Sequence, residues 1–243
     1  PQGTQGGAAL ARRCGARAEG PSPMIRLAIF DCDGTLVDSG ATIHRALSEA
    51  FTRHDRPVPE KRESKKVVGL SLQEAMAMLA PDTNDTEHAR LAQTYKDVFV
   101  DLRAAGQVEE PLFDGILPLL DALEADGWLL AVATGKSDRG LRHCLAAHGI
   151  FERFISLQTA DRHPSKPHPS MALQALADAG AEPAMSVVIG DTGWDMGMAR
   201  AAGCGAIGVR WGYHDEAELW ANGAQAVASK PAEVLALAEQ LTR

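Results

Sequence analysis

The chain has little of what marks secreted, membrane-spanning or zinc-binding proteins. Its four cysteines are far apart and form no C-x-x-C pair, so neither a disulfide framework nor a zinc site is indicated, and a reducing compartment fits best. No stretch reaches the roughly 18 uninterrupted apolar residues of a membrane span, because the richest one, residues 116–134, contains three carboxylates. We therefore expect a cytoplasmic protein without a membrane partner.

Positive charge is scarce as well. The formal net charge is −8 and the pI is about 5.5, so no basic surface is available to steer a nucleic acid or an anionic membrane toward the protein. We expect no nucleic-acid partner. The apolar share of 45% and the charged share of 23% are typical of globular proteins. A length of 243 residues suffices for one large domain, or for a core with a smaller domain.

The first 23 residues differ in composition from the rest. Residues 1–23 are rich in Gly, Ala, Arg and Pro and show no apolar periodicity. We predict a disordered leader ahead of a natural start at Met24. The alternatives are an Arg-bearing targeting leader and a native extension.

Short apolar runs alternate with helical patterns along most of the chain. Buried strands are predicted at residues 27–30, 128–133, 154–157, 186–189 and 206–209. Helices are predicted at residues 116–126, 137–148, 169–179 and 194–202. This alternation indicates an α/β protein with a doubly wound parallel-sheet, Rossmann-like core and helices on both faces.

Residues 39–110 interrupt that alternation with helical patterns only. Helices are predicted over residues 42–54, 72–80 and 86–104, with Ser39 or Thr42 capping the first and Ser71 the second. We predict an all-helical cap domain at residues 39–110, inserted into an α/β catalytic core formed by residues 24–38 and 111–243. The basic segment 61–66 is either a solvated surface or a means of attracting an anionic substrate.

The sequence DCDGT, residues 31–35, follows the first apolar run and places two carboxylates at its end. Because side chains alternate along an extended strand, Asp31 and Asp33 are expected to point to one side and Cys32 to the other. Open α/β sheets place their chemistry at the carboxyl ends of their strands, so these residues predict a paired-acid site. The alternative is a solvated turn, since Asp and Gly are common in turns.

Asp191 and Asp195 follow another predicted strand and belong to the same sheet edge. Asp195 lies in the first turn of the next helix, where the helix dipole favours an acid, so a structural role is its alternative. Four carboxylates at one edge repel one another, since two like charges about 4 Å apart cost about 4 kcal/mol at an effective dielectric of about 20. A cation must compensate, and an all-oxygen site predicts Mg²⁺.

Other strand ends carry groups suited to phosphate. Thr134 offers a hydroxyl and Gly135 an unobstructed N–H near a helix start, although a simple strand-to-helix turn explains this pair as well. Lys166 lies in a loop whose three prolines limit its backbone freedom. Its alternative is an ordinary surface lysine, but its place among the other strand ends favours a functional role.

The formal charges of this set suggest a protonation state. With Mg²⁺ and Lys166 present, the four carboxylates leave one negative charge, which a proton on one acid cancels. We hypothesise that Asp33 holds this proton, acting first as general acid toward the leaving alkoxide and then as general base toward water. Asp31 would be the nucleophile that forms an aspartyl-phosphate.

Four segments carry a resemblance to a known family: DCDGTLVDS, ATGKS, SKPHP and GDTGWDM, in this order. They resemble the motifs of the haloacid dehalogenase superfamily, and the similarity covers residues 25–243. The chain is most similar to the phosphoglycolate phosphatase-like branch, which has a helical cap inserted after the first motif. Asp33 matches the phosphatase form D-x-D-G-T, whereas the dehalogenases carry an aromatic residue there, so dehalogenation is disfavoured.

The resemblance implies a role for each residue of the set. It makes Asp31 the nucleophile and a Mg²⁺ ligand, and Asp33 the general acid/base and a ligand through its carbonyl. Lys166 would stabilise the nucleophile and the phosphoryl oxygens. The resemblance also implies that phosphate is contacted by Thr134 and Gly135. It implies that Mg²⁺ is bound by Asp191 and, directly or through water, by Asp195.

The resemblance therefore predicts a Mg²⁺-dependent phosphatase that hydrolyses a small phosphomonoester through an aspartyl-phosphate. Phosphoglycolate is the first candidate substrate. The expected partner is a small phosphorylated metabolite, and the expected state is a monomer or a homodimer. Two alternatives stay open: a mutase similar to β-phosphoglucomutase, and a catalytically idle module that binds phosphate.

Overall fold

The computed structural model describes residues 24–242, so the predicted leader lies outside the described residues. Six strands form one sheet in which every neighbouring pair is parallel. They are β1 (Arg26–Phe30), β2 (Trp128–Thr134), β3 (Phe154–Thr159), β4 (Ser186–Gly190), β5 (Gly205–Val209) and β6 (Ala226–Ala228). Their order across the sheet is β3-β2-β1-β4-β5-β6.

The same residues form ten α-helices. They are α1 (Gly40–Arg53), α2 (Lys61–Lys66), α3 (Leu72–Leu79), α4 (Asp85–Ala104), α5 (Ile116–Ala125), α6 (Asp138–Ala147), α7 (Ser170–Ala179), α8 (Gly193–Ala202), α9 (Glu216–Ala221) and α10 (Val234–Leu241). None of these helices combines the length and the hydropathy that a membrane span requires.

Helices cover both faces of the sheet, as β1 shows. Its residues Leu27 and Ile29 belong to a buried cluster with side chains of α7 and α8. Ala28 and Phe30 belong to a second cluster with side chains of α5, α6 and α10. A strand buried on both sides needs apolar residues at every position rather than at alternate ones, which explains the continuous run LAIF. The predicted α/β class is confirmed.

The order of the strands places a crevice at the end of β1. The chain adds β2 and β3 on one side of β1 and then crosses to add β4, β5 and β6 on the other side. The loops that follow β1 and β4 therefore leave in opposite directions from neighbouring strands. In open α/β sheets this switch point, at the carboxyl ends of the strands, is where ligands bind.

Helices α1 to α4 lie between β1 and β2 and have a hydrophobic cluster of their own. Leu47, Phe51, Met76 and Leu91 are buried in it. The connections that enter and leave this helical segment run side by side, since Val37 pairs with Leu112 in an isolated bridge. The chain thus leaves the core and returns to it at one place, beside the end of β1.

No bounds were predicted for α2, although its segment 61–66 lies in the stretch expected to be helical. Most of its residues are exposed, as a solvated surface requires, and its N-terminus is closed by a capping box between Glu60 and Glu63. Near the C-terminus α9, β6 and α10 were not predicted. β6 has three residues and α9 has six, which is too short for periodicity to show.

The core assignment can be tested in α5, where Leu120 is completely buried and Leu117 is 43% exposed. Leu120→Ala is expected to lower the free energy of unfolding by about 2–5 kcal/mol, because it leaves a cavity. The matched control Leu117→Ala should cost less than about 1 kcal/mol. Urea unfolding followed by circular dichroism measures both values. Equal losses would contradict the placement of Leu120 in the core.

Candidate active site

Asp31 directly follows β1, and its side chain is completely buried. Its Oδ1 accepts a hydrogen bond from the N–H of Cys32 at 2.6 Å and lies 3.0 Å from Lys166 Nζ. Its Oδ2 is buried as well but has no hydrogen-bond partner among residues 24–242. Because a buried carboxylate oxygen without a donor or cation is costly, Oδ2 is the atom at which we expect a ligand.

Asp195 is held by the start of α8. Its Oδ2 accepts hydrogen bonds from the N–H and the hydroxyl of Thr192, at 3.1 and 2.6 Å. Thr192 in turn accepts a hydrogen bond from the N–H of Asp195, which completes a capping box. The other oxygen, Oδ1, accepts a hydrogen bond from Lys166 Nζ at 2.7 Å. The helix cap therefore fixes an acid whose second oxygen faces the site.

Asp191, directly after β4, is enclosed by two loops. Its oxygens accept hydrogen bonds from the Thr35 hydroxyl at 2.8 Å and from the N–H of Tyr213 at 2.9 Å. A Cβ on either Gly34 or Gly212 would overlap the Asp191 side chain. Gly34 also has a φ of +87°, a conformation that favours glycine. Both loops need glycine in order to approach the carboxylate.

These three acids form a group, since one carboxylate oxygen from each of Asp31, Asp191 and Asp195 lies within 4.8 Å of the others. Burial raises the pKa of Asp31 to about 6; Lys166 lowers it, whereas Asp195 and Asp33 raise it. Burial, Asp195 and Asp31 also raise the pKa of Asp191 well above its ordinary value. Burial is the larger cause of both shifts, and the neighbouring carboxylates add to it.

Lys166 lies in the loop between β3 and α7, and its side chain is completely buried. Burial opposes its charge, but Asp195 and Asp31 outweigh that effect and raise its pKa. The ammonium group contacts two of the three carboxylates of the group, those of Asp31 and Asp195. The surplus of negative charge, the all-oxygen donor set and the unpartnered Asp31 Oδ2 fit a hard divalent cation.

Asp33 does not join this group, although four carboxylates were expected to converge. Its Oδ1 accepts hydrogen bonds from the Ser39 hydroxyl at 2.5 Å and from Lys136 Nζ at 2.7 Å. Cys32 packs in the cluster of Ala28 and Phe30, as the alternation predicts, but the Asp33 carboxylate is bound by these two donors instead of joining the three acids. Ser39 precedes α1 but makes no side-chain capping bond, because its hydroxyl serves Asp33.

Thr134 and Gly135 lie at the end of β2, next to β1. Thr134 is buried, and its hydroxyl accepts a hydrogen bond from the N–H of Lys136 at 3.3 Å. A Cβ on Gly135 would overlap the carbonyl oxygen of Leu70, which comes from the helical segment. The end of β2 is therefore in backbone contact with the segment above it.

Residues 67–71 cover the strand ends. A Cβ built on Gly69 would lie 3.7 Å from Asp31 Oδ2 and 3.3 Å from the Thr192 hydroxyl. The N–H of Ser71 donates to the Ser165 hydroxyl at 2.8 Å, next to Lys166. The unpartnered oxygen of Asp31 thus faces a space between the core and this segment.

Two residues of the site, Tyr213 and Lys136, were not singled out from the sequence. Tyr213 contributes a backbone N–H, which any residue type supplies. Lys136 is part of the motif ATGKS, but only its contact with Asp33 in the structure shows that it belongs to the site. A lysine one residue after Gly135 was the available clue, but its direction could not be known without the fold.

Residues 28–209 match the model of a family described as haloacid dehalogenase-like hydrolase. The chain belongs to this family. The match begins in β1 and ends with β5, so it includes the helical segment and every acid described above. The family predicted from the four motifs is confirmed.

Three named proteins are similar to this haloacid dehalogenase-like hydrolase. Probable phosphatase IndB of Dickeya dadantii is 35% identical, over 89% of this chain and 95% of that one. Tyrosine-protein kinase PtkA of Mycobacterium tuberculosis is 34% identical, over 81% of this chain and 66% of that one. A phosphoglycolate phosphatase of Vibrio vulnificus is 26% identical, over 87% of this chain and 95% of that one.

A solved structure is similar too. A haloacid dehalogenase-like hydrolase from Bacteroides fragilis has a TM-score of 0.80 at 25% identity, covering 86% of this chain and 99% of that chain. The fold and the phosphoglycolate phosphatase-like branch expected from the sequence are confirmed. The hydrolase is an enzyme of the phosphatase type.

The role of Lys166 in compensating buried charge can be tested by unfolding. Lys166→Met leaves Asp31 and Asp195 without their shared cation, so it is expected to lower the free energy of unfolding at pH 8 by about 3–5 kcal/mol. The loss should be smaller at pH 5, because the pKa of Asp31 is already raised to about 6 with Lys166 present and the carboxyl then takes up a proton.

Urea unfolding at the two pH values measures this loss. Lys230→Met, at an exposed lysine, is the matched control and should change little. Adding Asp31→Asn to the Lys166→Met variant should restore part of the loss at pH 8. A loss that is independent of pH and of Asp31 would contradict the charge argument.

Proposed function

We propose that this hydrolase is a Mg²⁺-dependent phosphatase that removes the phosphoryl group from a small phosphomonoester through an aspartyl-phosphate on Asp31. Asp33 acts as general acid and then as general base. The phosphoryl group is bound by Lys166, Thr134 and Gly135. The metal is bound by Asp31, the Asp33 carbonyl and Asp191, and by Asp195 directly or through water.

The observation that carries this proposal is the environment of the Asp31 carboxylate. Its Oδ1 is held by Lys166 Nζ at 3.0 Å and by the N–H of Cys32 at 2.6 Å. Its Oδ2 is buried, has no donor in the part of the chain that the structure describes, and lies near Gly69. A carboxylate fixed through one oxygen, with the other directed into a covered space, is arranged as a nucleophile.

In the first step Asp31 Oδ2 attacks the phosphorus atom. The new P–O bond forms as the bond to the leaving oxygen breaks, and a proton moves from Asp33 to that oxygen. Lys166 keeps the nucleophile in one orientation and offsets the charge that gathers on the phosphoryl oxygens. The products of this step are the free alcohol and the aspartyl-phosphate.

In the second step a water molecule attacks the same phosphorus atom. Asp33, now a carboxylate, accepts a proton from the water, and the bond between phosphorus and Asp31 breaks. Inorganic phosphate leaves, and both acids return to their starting states. The same carboxyl group thus serves both steps, because it donates a proton in the first step and regains one from water in the second.

The metal assignment follows from the donor set. Asp31, Asp191 and Asp195 offer oxygens within 4.8 Å of one another, and hard oxygen donors suit Mg²⁺. When bound, Mg²⁺ supplies positive charge that screens the phosphoryl group from the surrounding carboxylates. Lys166 alone leaves these acids undercompensated.

Phosphoglycolate is the first substrate that we propose to test. Relatives with this name align over nearly their whole length.

A substrate panel tests the proposed function. The panel contains phosphoglycolate, hexose phosphates, nucleotides and pyrophosphate, each with Mg²⁺, and released phosphate is measured. Asp31→Asn is expected to lower kcat by at least about 10³-fold, because it removes the nucleophile. Asp101→Asn, at an exposed aspartate of α4, is the matched control and should retain wild-type activity.

Two outcomes of the panel would contradict this proposal. Isomerised hexose phosphate without net phosphate release would indicate a mutase. No turnover of any ester by well-folded protein would indicate a module that only binds phosphate. Activity that persists in Asp31→Asn would point to a contaminating phosphatase.

Mg²⁺ binding can be tested without turnover. Mg²⁺ at about 10–100 times its Kd is expected to raise the free energy of unfolding by about 1.4–2.7 kcal/mol. Asp191→Asn should abolish this gain because it removes a ligand. In metal-free protein at pH 8, the same substitution should leave stability unchanged or raise it by about 1 kcal/mol, since the pKa of the buried Asp191 is raised well above its ordinary value.

The sign follows from linkage. A carboxyl group whose pKa is raised by folding loses stabilisation as the pH rises through that value, so its charge is a cost at pH 8 until a cation compensates it. Urea unfolding with and without Mg²⁺, at matched ionic strength, gives both numbers. An equal gain in wild type and Asp191→Asn would rule out Asp191 as a ligand.

A further inference from the structure

Lys136 lies between Asp33 and the connection that returns from the helical segment to β2. Its Nζ is 2.7 Å from Asp33 Oδ1 and 2.8 Å from Glu110 Oε1, and its side chain is 9% exposed. A buried ammonium group between two carboxylates has little freedom, because moving away from either one leaves a charge uncompensated. Asp33 and Glu110 together outweigh the effect of burial and raise the pKa of Lys136.

Glu110 is itself held firmly at the point where the connection joins the core. Its Oε2 lies 3.3 Å from a guanidinium nitrogen of Arg103 at the end of α4. Its carbonyl oxygen is 2.7 Å from His148 Nε2, just after α6. The neighbouring Glu109 donates its N–H to the Thr42 hydroxyl at 3.0 Å. The anchor of Lys136 is thus tied to α1, α4 and the core together.

The two donors to Asp33 meet at one oxygen. The Ser39 hydroxyl at 2.5 Å and Lys136 Nζ at 2.7 Å both donate to Oδ1. Ser39 belongs to the outgoing connection, and Lys136 is held by the returning one. With Oδ1 occupied from two sides, the carboxyl group is fixed in orientation, and Oδ2 is the oxygen that can carry a transferable proton.

We propose that Lys136, held in place by Glu110, is a positioning residue for Asp33. It fixes the carboxyl group so that Oδ2 delivers its proton to the leaving oxygen as the P–O bond breaks, while Lys136 keeps all its own protons. This inference rests on the proposed function, because it assigns to Lys136 a part in the acid step. Lys136 acts through Asp33 and does not bind the substrate.

The consequence is a dependence on the leaving group. An ester of an acidic phenol expels its oxygen without a proton, whereas an ester of an ordinary alcohol needs one from the general acid. Loss of positioning should therefore harm the second kind of ester far more than the first. A loss of substrate binding or of general structure would harm both kinds equally.

The test compares 4-nitrobenzyl phosphate with 4-nitrophenyl phosphate, which are similar in size and charge but differ in the acidity of the alcohol. The readout is kcat/KM, since it covers the steps only up to departure of the leaving group. Lys136→Met is expected to lower kcat/KM by about 10²-fold for the benzyl ester and by less than about 5-fold for the phenyl ester. Lys136→Arg should recover at least about tenfold on the benzyl ester.

Glu110→Gln tests the anchor independently. It should lower kcat/KM selectively for the benzyl ester by about 5–10-fold, and it should add little to Lys136→Met, because both changes act on one contact. This variant and Lys136→Arg carry the test if Lys136→Met folds poorly, which thermal unfolding followed by circular dichroism will show. Lys96→Met, at an exposed lysine of α4, is the matched control and should leave both esters unaffected.

Parallel losses on the two esters, or no loss on either, would overturn the inference while leaving the proposed function intact. Additive losses from Lys136→Met and Glu110→Gln would overturn the part assigned to Glu110. Absence of wild-type activity on both esters and on the whole substrate panel would contradict the proposed function, and the inference with it.

Discussion

Burial of the Lys166 ammonium group between two carboxylates is the interaction on which the arrangement of the site depends. The contacts of Nζ with Asp31 at 3.0 Å and with Asp195 at 2.7 Å join the ends of β1 and β4 to the loop after β3. A buried charge is tolerated only if it is paired and hydrogen-bonded. The three strand ends must therefore keep their relative positions, which the hydrogen-bonded parallel sheet allows.

A second buried lysine organises the other half of the site. Lys136 contacts Asp33 and Glu110, and none of these three residues takes part in the Lys166 contacts. The nucleophile and the general acid proposed above are two residues apart in sequence, yet each has its own cation.

The sequence was sufficient for residues whose position follows from topology. Asp31, Asp191 and Lys166 each come at or just after a strand end, and parallel strands bring those ends to one edge whatever the details of the loops. The separate position of the Asp33 carboxylate could not be predicted, because it depends on donors from Ser39 and Lys136, which come from other parts of the chain.

The partners of Asp33 were out of reach for a related reason. Glu110 and Lys136 are 26 residues apart, with α5 and β2 between them, and no local pattern joins two such positions. Hydrophobic periodicity also failed to reveal β6 and α9. The three residues of β6 contain less than two strand repeats, and the six residues of α9 less than two helical turns. Motif spacing predicted the chemistry of single strand ends, whereas contacts between distant loops required coordinates.

The same division explains why the motifs indicate a reaction more readily than a substrate. The proposed phosphoryl side of the site consists of strand ends, which the fold places in the same way whatever helices α1 to α4 contain. The other side faces α4, where the Phe99 ring lies 5.8 Å from Lys136 Nζ. Burial raises the pKa of the Tyr95 hydroxyl there, Lys136 lowers it, and Asp33 and Glu110 raise it further. Aromatic side chains of α4 thus lie beside Lys136, the contact of the proposed general acid Asp33. If these roles hold, we expect a change in α4 to act on the leaving group rather than on the attack at phosphorus.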